Sequence, residues 1–299
     1  MRLSLSLFVW FLAYAFAIAE QTICRWAYLP PVIDGKDEDP VWAEAESVGP
    51  FQRAWDKDPA KRKPLTATEA KLCWDGDNLY FFARMEDGDL FAKKTEHDGD
   101  LWFDDVFELF FKPAENFSGY YEFEFNPHNA VLDIYFPQRD VGEVRRFKHD
   151  FPFHLETAVE LNGTLNKRTD KDRGWAVEGK IPWRDFIRAG GRPRAGDVWK
   201  YAACRYDYSV NFEAPNLSSN APLQRLSFHR YEDYLPLLFE GPQGNHPNKP
   251  FGLTSLPPLS DLKVKGRPGK PPPYQVKNAY PNLQLPFPIT MEAVPGANV

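Results

Sequence analysis

The segment GYYEFEFNPHNAVLDIYF, residues 119–136, indicates the fold class of this 299-residue chain. Its first half alternates aromatic with polar residues, with Tyr121, Phe123 and Phe125 on one side and Glu122, Glu124 and Asn126 on the other. A period of two is the pattern of a strand with one apolar face. The turn-forming residues 126–129 separate this run from a second apolar run. The segment therefore predicts a β-hairpin.

A second hairpin is predicted over residues 68–87, where two apolar runs flank the turn Asp75-Gly76-Asp77-Asn78. Further short alternating segments, bounded by Gly, Pro, Asn or Asp, cover residues 153–161, 174–183, 198–209 and 235–239. Near the start, residues 30–51 predict a short strand, a tight turn and a helical turn that packs Trp42 inward. The other helical candidate covers residues 184–189. About ten strands at regular spacing predict an all-β fold, an antiparallel β-sandwich over residues 25–240.

Composition and motifs exclude several classes of function. The formal net charge is −6 and no basic stripe stands out, which argues against nucleic acid as a partner. The sequence contains no P-loop, G-x-G-x-x-G, HExxH or G-x-S-x-G motif, so the common nucleotide-binding, protease and hydrolase classes have no support.

The first 19 residues have the features of a signal peptide. Arg2 precedes the apolar run from Leu3 to Ala17, and Ala17-Ile18-Ala19 fits the small-x-small rule for cleavage. The alternative is an N-terminal membrane anchor, for which the apolar run is short. The mature protein is therefore expected to be secreted or periplasmic, with no membrane contact after cleavage.

The composition changes in residues 241–299, which hold 13 of the 28 prolines. Such a segment is too polar and too rich in proline to build a core, so an extended linker or arm is predicted. Its apolar end, NLQLPFPITMEAVPGANV, is typical of either an arm packed on the sandwich or the start of a further module of a longer polypeptide.

Three cysteines, Cys24, Cys73 and Cys204, lie outside the signal segment, and none belongs to a CxxC pair. An odd number in an exported chain allows one disulfide at most. The sequence does not indicate which pair would form it.

The acidic segment DGDLWFDDVFELFF, residues 98–111, raises the question of a metal or ligand site. Carboxylate oxygens suit Ca²⁺, and the candidate ligands are Asp98, Asp100, Asp104 and Asp105. Their spacing is not that of an EF-hand loop, and a solvated acidic loop explains the same residues. Trp102 lies in this loop just before a predicted strand, which favours partial exposure.

Five segments in order resemble one family. They are IDGKDEDPVW, AKLCWDGDNLYFFARMED, LWFDDVFELFF, YYEFEFNP and GTLNKRTDKDRGWAVEGKIPW. Together they are similar to the family 9 carbohydrate-binding modules, and more closely to their family 9-like relatives in the DOMON group, over most of residues 30–239. The resemblance implies a β-sandwich that binds carbohydrate, with structural calcium, no organic cofactor and no catalysis of its own.

The resemblance also implies binding residues. The first binding tryptophan of the family falls on Trp102, and the carboxylate that bonds sugar hydroxyls falls on Glu108. An indole can stack on the C–H face of a sugar while carboxylates accept hydrogen bonds from its rim. Residues 98–111 are thus predicted to form a ligand-facing edge, and Glu122, Glu124 and Asn126 to project on the same side from the neighbouring strand.

Two positions depart from the family pattern. Sugar-binding members carry an arginine where this chain has Glu124, and their second tryptophan falls near Phe228. These departures would change which sugar fits, or abolish binding.

Two alternative functions remain open from sequence. Some DOMON relatives bind a b-type haem through Met and His; Met85 and Met291 are the methionines outside the signal segment, and the candidate histidines are His97, His128, His149, His154 and His229. A glycoside hydrolase would use Glu108 with Glu122 or Glu124 as acid and nucleophile.

Overall fold

Eleven strands and one α-helix make up the regular structure of the computed structural model, which describes residues 21–149 and 152–244. The strands are β1 Thr22–Trp26, β2 Thr68–Trp74, β3 Asn78–Glu86, β4 Val106–Lys112, β5 Tyr120–Phe125, β6 Val131–Phe136, β7 Glu156–Asn162, β8 Gly174–Pro182, β9 Val198–Tyr206, β10 Ser218–Ser219 and β11 Leu235–Phe239. Helix α1, Pro40–Glu44, lies between β1 and β2, and short 3₁₀ turns punctuate the loops.

The described residues all belong to the first of two units, Met1–Lys249 and Pro250–Val299, into which the chain divides. The predicted signal peptide, residues 1–19, and the predicted arm beyond residue 244 lie outside the described residues. Among the described residues, no helix has the length and apolar character needed to span a membrane.

The strands form one continuous sheet in the order β6-β5-β4-β9-β11-β1-β2-β3-β8-β7, with β10 paired to β9. Strand β1 runs parallel to both of its neighbours, β11 and β2, and every other pairing among the named strands is antiparallel. The all-β prediction is confirmed. The prediction of a wholly antiparallel sandwich is wrong at β1, because this strand joins the two halves into a curled, mixed sheet in the form of a half-barrel.

Both predicted hairpins are confirmed. Trp74 pairs with Leu79 across the β2–β3 turn, and Phe125 pairs with Val131 across the β5–β6 turn. The later alternating segments form β7, β8, β9 and β11, and the helical candidate forms a 3₁₀ turn over Trp183–Phe186. The short strand predicted before Ile33 is absent from the described residues; the first strand is instead β1, further towards the N-terminus.

The main core lies between the two halves of the sheet. Phe81 of β3 stacks on Phe125 of β5 with ring centroids 4.6 Å apart, and the inward side chains of β4, Phe107, Leu109 and Phe111, are fully buried there. Aromatic pairs of this kind add stability beyond the burial of apolar area. Aromatic side chains therefore fill much of the space between the two halves of the sheet.

A second apolar cluster covers the opposite face of β4, β5 and β9. It includes Val106 and Phe110 of β4, so all seven residues of this strand are buried. Glutamates on this face are consequently enclosed, although a simple alternating pattern would place them in solvent. This outer cluster forms the surroundings of the candidate site.

Trp42 packs inward from α1 as predicted and is fully buried. Its indole Nε1 donates to Glu178 Oε1 at 2.8 Å. Glu178 Oε2 in turn accepts from the backbone N–H groups of Asp34 and Gly35, both at 2.9 Å. The turn at residues 33–35 is thereby fixed to β8.

The three cysteines are all buried and free. Burial raises the pKa of each thiol well above its usual value. Neutral buried thiols behave as small apolar side chains, so Cys24, Cys73 and Cys204 serve as packing residues in this structure.

Candidate functional site

A pocket of about 340 Å³ opens on the outer face of β4, β5 and β9. Its walls are mainly apolar and aromatic and its floor is acidic. The lining residues are Trp102, Glu108, Glu122, Glu124, Val144, Tyr206, Leu217, Leu226, Ser227, Phe228 and His229. A concave, largely apolar site with a few convergent polar groups is typical of a small-molecule site.

Strand register brings the three glutamates together. Glu108 of β4 pairs directly with Glu124 of β5, and Glu122 lies two residues before Glu124 on the same face. One carboxylate oxygen from each lies within 4.8 Å of the others. Their predicted convergence on one side of the sheet is therefore what the structure shows. However, residues 98–111 were predicted to form an edge, whereas β4 within them pairs with β5 on one side and β9 on the other and is an interior strand.

The glutamates are nearly inaccessible to solvent, at 2% exposure for Glu108, 4% for Glu122 and 2% for Glu124. Burial, together with the neighbouring carboxylates, raises the pKa of Glu108 and Glu124 well above the usual value. Burial also raises the pKa of Glu122, although His229 opposes that shift. The floor is thus poorly solvated and electrostatically crowded.

Trp102 lies in the 3₁₀ turn Leu101–Phe103 that leads into β4, and its side chain is partly exposed. Its backbone oxygen accepts from Tyr208 Oη at 2.7 Å. The Lys148 ammonium lies 5.1 Å from the ring centroid and donates to Asp100 Oδ1 at 2.8 Å. These contacts hold the indole at the pocket wall.

Phe228 also lines the pocket, where it is 5% exposed. The Tyr206 ring meets it edge-on with centroids 5.2 Å apart. The structure therefore places Trp102, Glu108, Glu122, Glu124 and Phe228 around one cavity.

Asn126, the sixth predicted binding residue, does not line the pocket. Its Nδ2 donates to Asp104 Oδ2 at 3.0 Å, and its Oδ1 accepts from the backbone N–H groups of His128 and Ala130. Asn126 thus fixes the β5–β6 turn through Oδ1 and ties that turn to the segment before β4 through Nδ2.

The four aspartates predicted to bind a metal are not brought together. Asp98 lies beside His149 at 2.5 Å, and Asp100 pairs with Lys148 at 2.8 Å. Asp104 Oδ2 accepts from Lys94 N at 2.8 Å, whereas Asp105 accepts from the backbone N–H groups of Phe91 and Tyr208. The predicted set does not fit a single calcium ion.

Asp105 instead belongs to a buried cluster with Asp87 and Asp207, whose carboxylate oxygens lie within 4.8 Å of one another. Arg205 Nη2 lies 3.4 Å from Asp87 Oδ2 and 3.3 Å from Asp207 Oδ2. The Arg205 guanidinium thus pairs with two of the three carboxylates, and Asp207 Oδ1 has no hydrogen-bond partner. This donor set fits a hard cation.

Sequence reasoning missed Tyr206 and considered His229 only as a haem ligand. Tyr206 pairs with Val106 of β4, which puts it two residues along from Glu108 on the same face. That proximity requires the β4–β9 pairing, which local sequence does not reveal. His229 directly follows Phe228, a predicted binding residue, and this adjacency could have indicated that His229 lines the same site.

Met85, a haem-ligand candidate, is 1% exposed and packs in the main core, away from the pocket lining. Met291 lies outside the described residues. Met85 therefore has the surroundings of a core residue.

Residues 33–207, more than half of the chain, match the model of the carbohydrate family 9 binding domain-like family. The chain belongs to this family of non-catalytic carbohydrate-binding modules. No curated protein matches the sequence significantly.

Among solved structures, a candidate carbohydrate-binding protein from Bacteroides uniformis is 17% identical, with a TM-score of 0.53 over 74% of this chain and 100% of that one. A family 9 module from Caldicellulosiruptor kristjanssonii was solved with cellotriose, at 16% identity and TM-score 0.49 over 76% of this chain and 96% of that one. A family 9 module from the same organism, solved with glucose, is 17% identical, with a TM-score of 0.49 over 76% of this chain and 100% of that one. The Bacteroides structure supports the fold.

Proposed function

We propose that this domain binds carbohydrate in the pocket between Trp102 and Phe228, above the glutamate floor. The observation that carries the proposal is the placement of a partly exposed indole and three strand carboxylates around one cavity in a family 9-like domain. Trp102 would stack on the C–H face of a sugar ring, while Glu108 and its neighbours accept hydrogen bonds from hydroxyls. A pocket of about 340 Å³ favours one or two sugar units over a long chain lying across the surface.

We further propose that the domain acts outside the cytoplasm, as a secreted or periplasmic targeting module in polysaccharide degradation. The signal-like first 19 residues and the family membership support this role. By binding an insoluble substrate, such a module would raise the effective concentration of any further modules of a longer polypeptide near that substrate.

Trp102→Ala is expected to weaken carbohydrate binding about tenfold or more while leaving Tm nearly unchanged, because stacking on a partly exposed ring is lost without opening the core. A glycan array would select the ligand, and isothermal titration calorimetry would compare affinities. The matched control is Phe103→Ala, since Phe103 is the adjacent aromatic, is 57% exposed and does not line the pocket.

Two results would contradict the proposal. Equal affinity losses in the Trp102 and Phe103 variants would place the ligand elsewhere. Release of reducing sugar from any glycan in the panel, abolished by Glu108→Gln, would favour the hydrolase alternative.

We also propose a structural calcium ion at Asp87, Asp105 and Asp207, supported by the fit of that donor set and by the family's use of calcium. Free calcium at about 100 times its Kd adds about 2.7 kcal/mol to the free energy of unfolding. Calcium is therefore expected to raise Tm by roughly 5–10 °C above that of the chelated protein. Differential scanning fluorimetry with calcium and with EGTA measures this. Asp207→Asn should abolish the calcium response and Asp100→Asn should keep it; a response in both variants would place the ion elsewhere.

A further inference from the structure

The floor of the pocket carries more negative charge than its surroundings balance. Oε2 of Glu108 and Oε2 of Glu124 have no hydrogen-bond partner, although both side chains are 98% buried and line the cavity. Within the described residues, no lysine or arginine forms an ion pair with Glu108, Glu122 or Glu124; the imidazole of His229 faces Glu122 instead. Buried carboxylates without partners are costly, so an arrangement of this kind is stabilised by a bound cation or by bound protons.

His229, which lines the same pocket, offers a fourth ligand atom. Its Nδ1 lies 2.9 Å from Tyr120 Oη, and its Nε2 faces Glu122 Oε1 at 4.0 Å. When Nδ1–H donates to the Tyr120 hydroxyl, Nε2 carries the lone pair on the side of the glutamates. A histidine whose second ring nitrogen is hydrogen-bonded in this way is oriented as metal-ligating histidines are.

The His229 ring is also fixed from its sides. Phe110 meets it edge-on at 5.5 Å and Phe136 at 5.4 Å between centroids. A preoriented ring loses little conformational entropy when it binds an ion. The imidazole is thus held in the pocket lining, beside Glu122.

We propose that the pocket floor binds a divalent cation through one carboxylate oxygen each of Glu108, Glu122 and Glu124 and through His229 Nε2. The carboxylates already lie within 4.8 Å of one another, a span that one ion between them can bridge with modest side-chain adjustment. A mixed set of carboxylates and imidazole suits Mn²⁺ or Zn²⁺ better than Ca²⁺, which prefers oxygen alone. This site is distinct from the aspartate cluster proposed for calcium and does not depend on carbohydrate binding.

Mn²⁺ is the probe for the experiment, because electron paramagnetic resonance counts bound ions and its pulsed form detects a coordinated nitrogen. The full chain, freed of metal and then titrated with MnCl₂, is expected to show one nitrogen-coupled ion, besides any Mn²⁺ that the aspartate cluster binds without a ¹⁴N coupling. Glu124→Gln should weaken that ion at least tenfold, whereas Asp207→Asn should leave it unchanged. His229→Gln should remove the ¹⁴N coupling.

Two further variants separate the possible sources of signal. Trp102→Ala should retain the nitrogen-coupled ion, so loss of carbohydrate binding and loss of metal binding are distinguishable. His97→Gln should also retain it, because His97 belongs to another group, with Asp98 and Asp133. A ¹⁴N coupling that persists in His229→Gln, or no nitrogen-coupled Mn²⁺ in the unmodified chain, would overturn the proposal; the second result would mean that the glutamates hold protons.

Discussion

Arg205→Met is expected to lower the free energy of unfolding by about 3–5 kcal/mol, because it leaves a group of buried carboxylates without its cation. Arg205 is fully buried, and its Nη2 donates to Glu86 O at 2.7 Å as well as facing Asp87 and Asp207. Methionine fills most of the volume, so the loss reflects charge and hydrogen bonding. Urea denaturation of the unmodified protein and of Arg205→Met, both in EGTA, measures this difference in the free energy of unfolding without a contribution from bound calcium.

The matched control is Arg84→Met, which removes an arginine paired with Asp37 at 2.7 Å on the surface. Side-chain exposure of 45% and 32% makes this pair readily screened, so a loss below about 1 kcal/mol is expected. If the two variants lose the same stability, Arg205 does not balance the buried cluster.

Trp175→Ala is expected to cost about 3–5 kcal/mol of stability, through lost apolar contacts and the cavity that remains. Trp175 of β8 is 2% exposed, belongs to the main core and pairs with Met85 of β3. Its Nε1 has no hydrogen-bond partner, so little polar bonding is lost with the ring. Thermal and urea unfolding followed by circular dichroism would give the value.

Val198→Ala supplies the comparison for this core substitution, since Val198 lies on β9 with 48% exposure and should cost roughly 0.5 kcal/mol or less. Trp102→Ala should resemble Val198→Ala in stability. If Trp102→Ala unfolds as readily as Trp175→Ala, Trp102 is a core residue and the proposed carbohydrate site is misplaced.

Local sequence was enough to predict most strands because hairpins depend on near neighbours. Alternation and a turn specify β2–β3 and β5–β6, and the same alternation puts Glu122 and Glu124 on one face. Local sequence could not predict β1, whose five residues begin three positions after the signal-like segment ends and pair with strands distant in the chain. Parallel pairing has no local turn that would reveal it.

The candidate site was predictable where it depends on one hairpin and unpredictable where it depends on long-range pairing. Glu108 meets Glu124 through adjacent strands, whereas Tyr206 and His229 reach the pocket from much later in the chain. The aspartates show that closeness in sequence does not ensure closeness in space. Asp98 and Asp105 are close in sequence, but the backbone between them turns, and Asp105 finds its partners at Asp87 and Asp207.

The position of β1 determines how this domain can be excised for study. The residues that match the family, 33–207, omit both β1 and β11, which lie at the junction of the two halves of the sheet. A fragment trimmed to that range would leave β9 and β2 with unpaired edges, which invite aggregation. Arg25 and Glu240, 215 residues apart and 3.0 Å from each other, show how late the closing contacts form during synthesis. We therefore expect that the chain cannot complete its sheet on the ribosome until residues 235–239 have emerged, and that β1 and β11 then close the fold together.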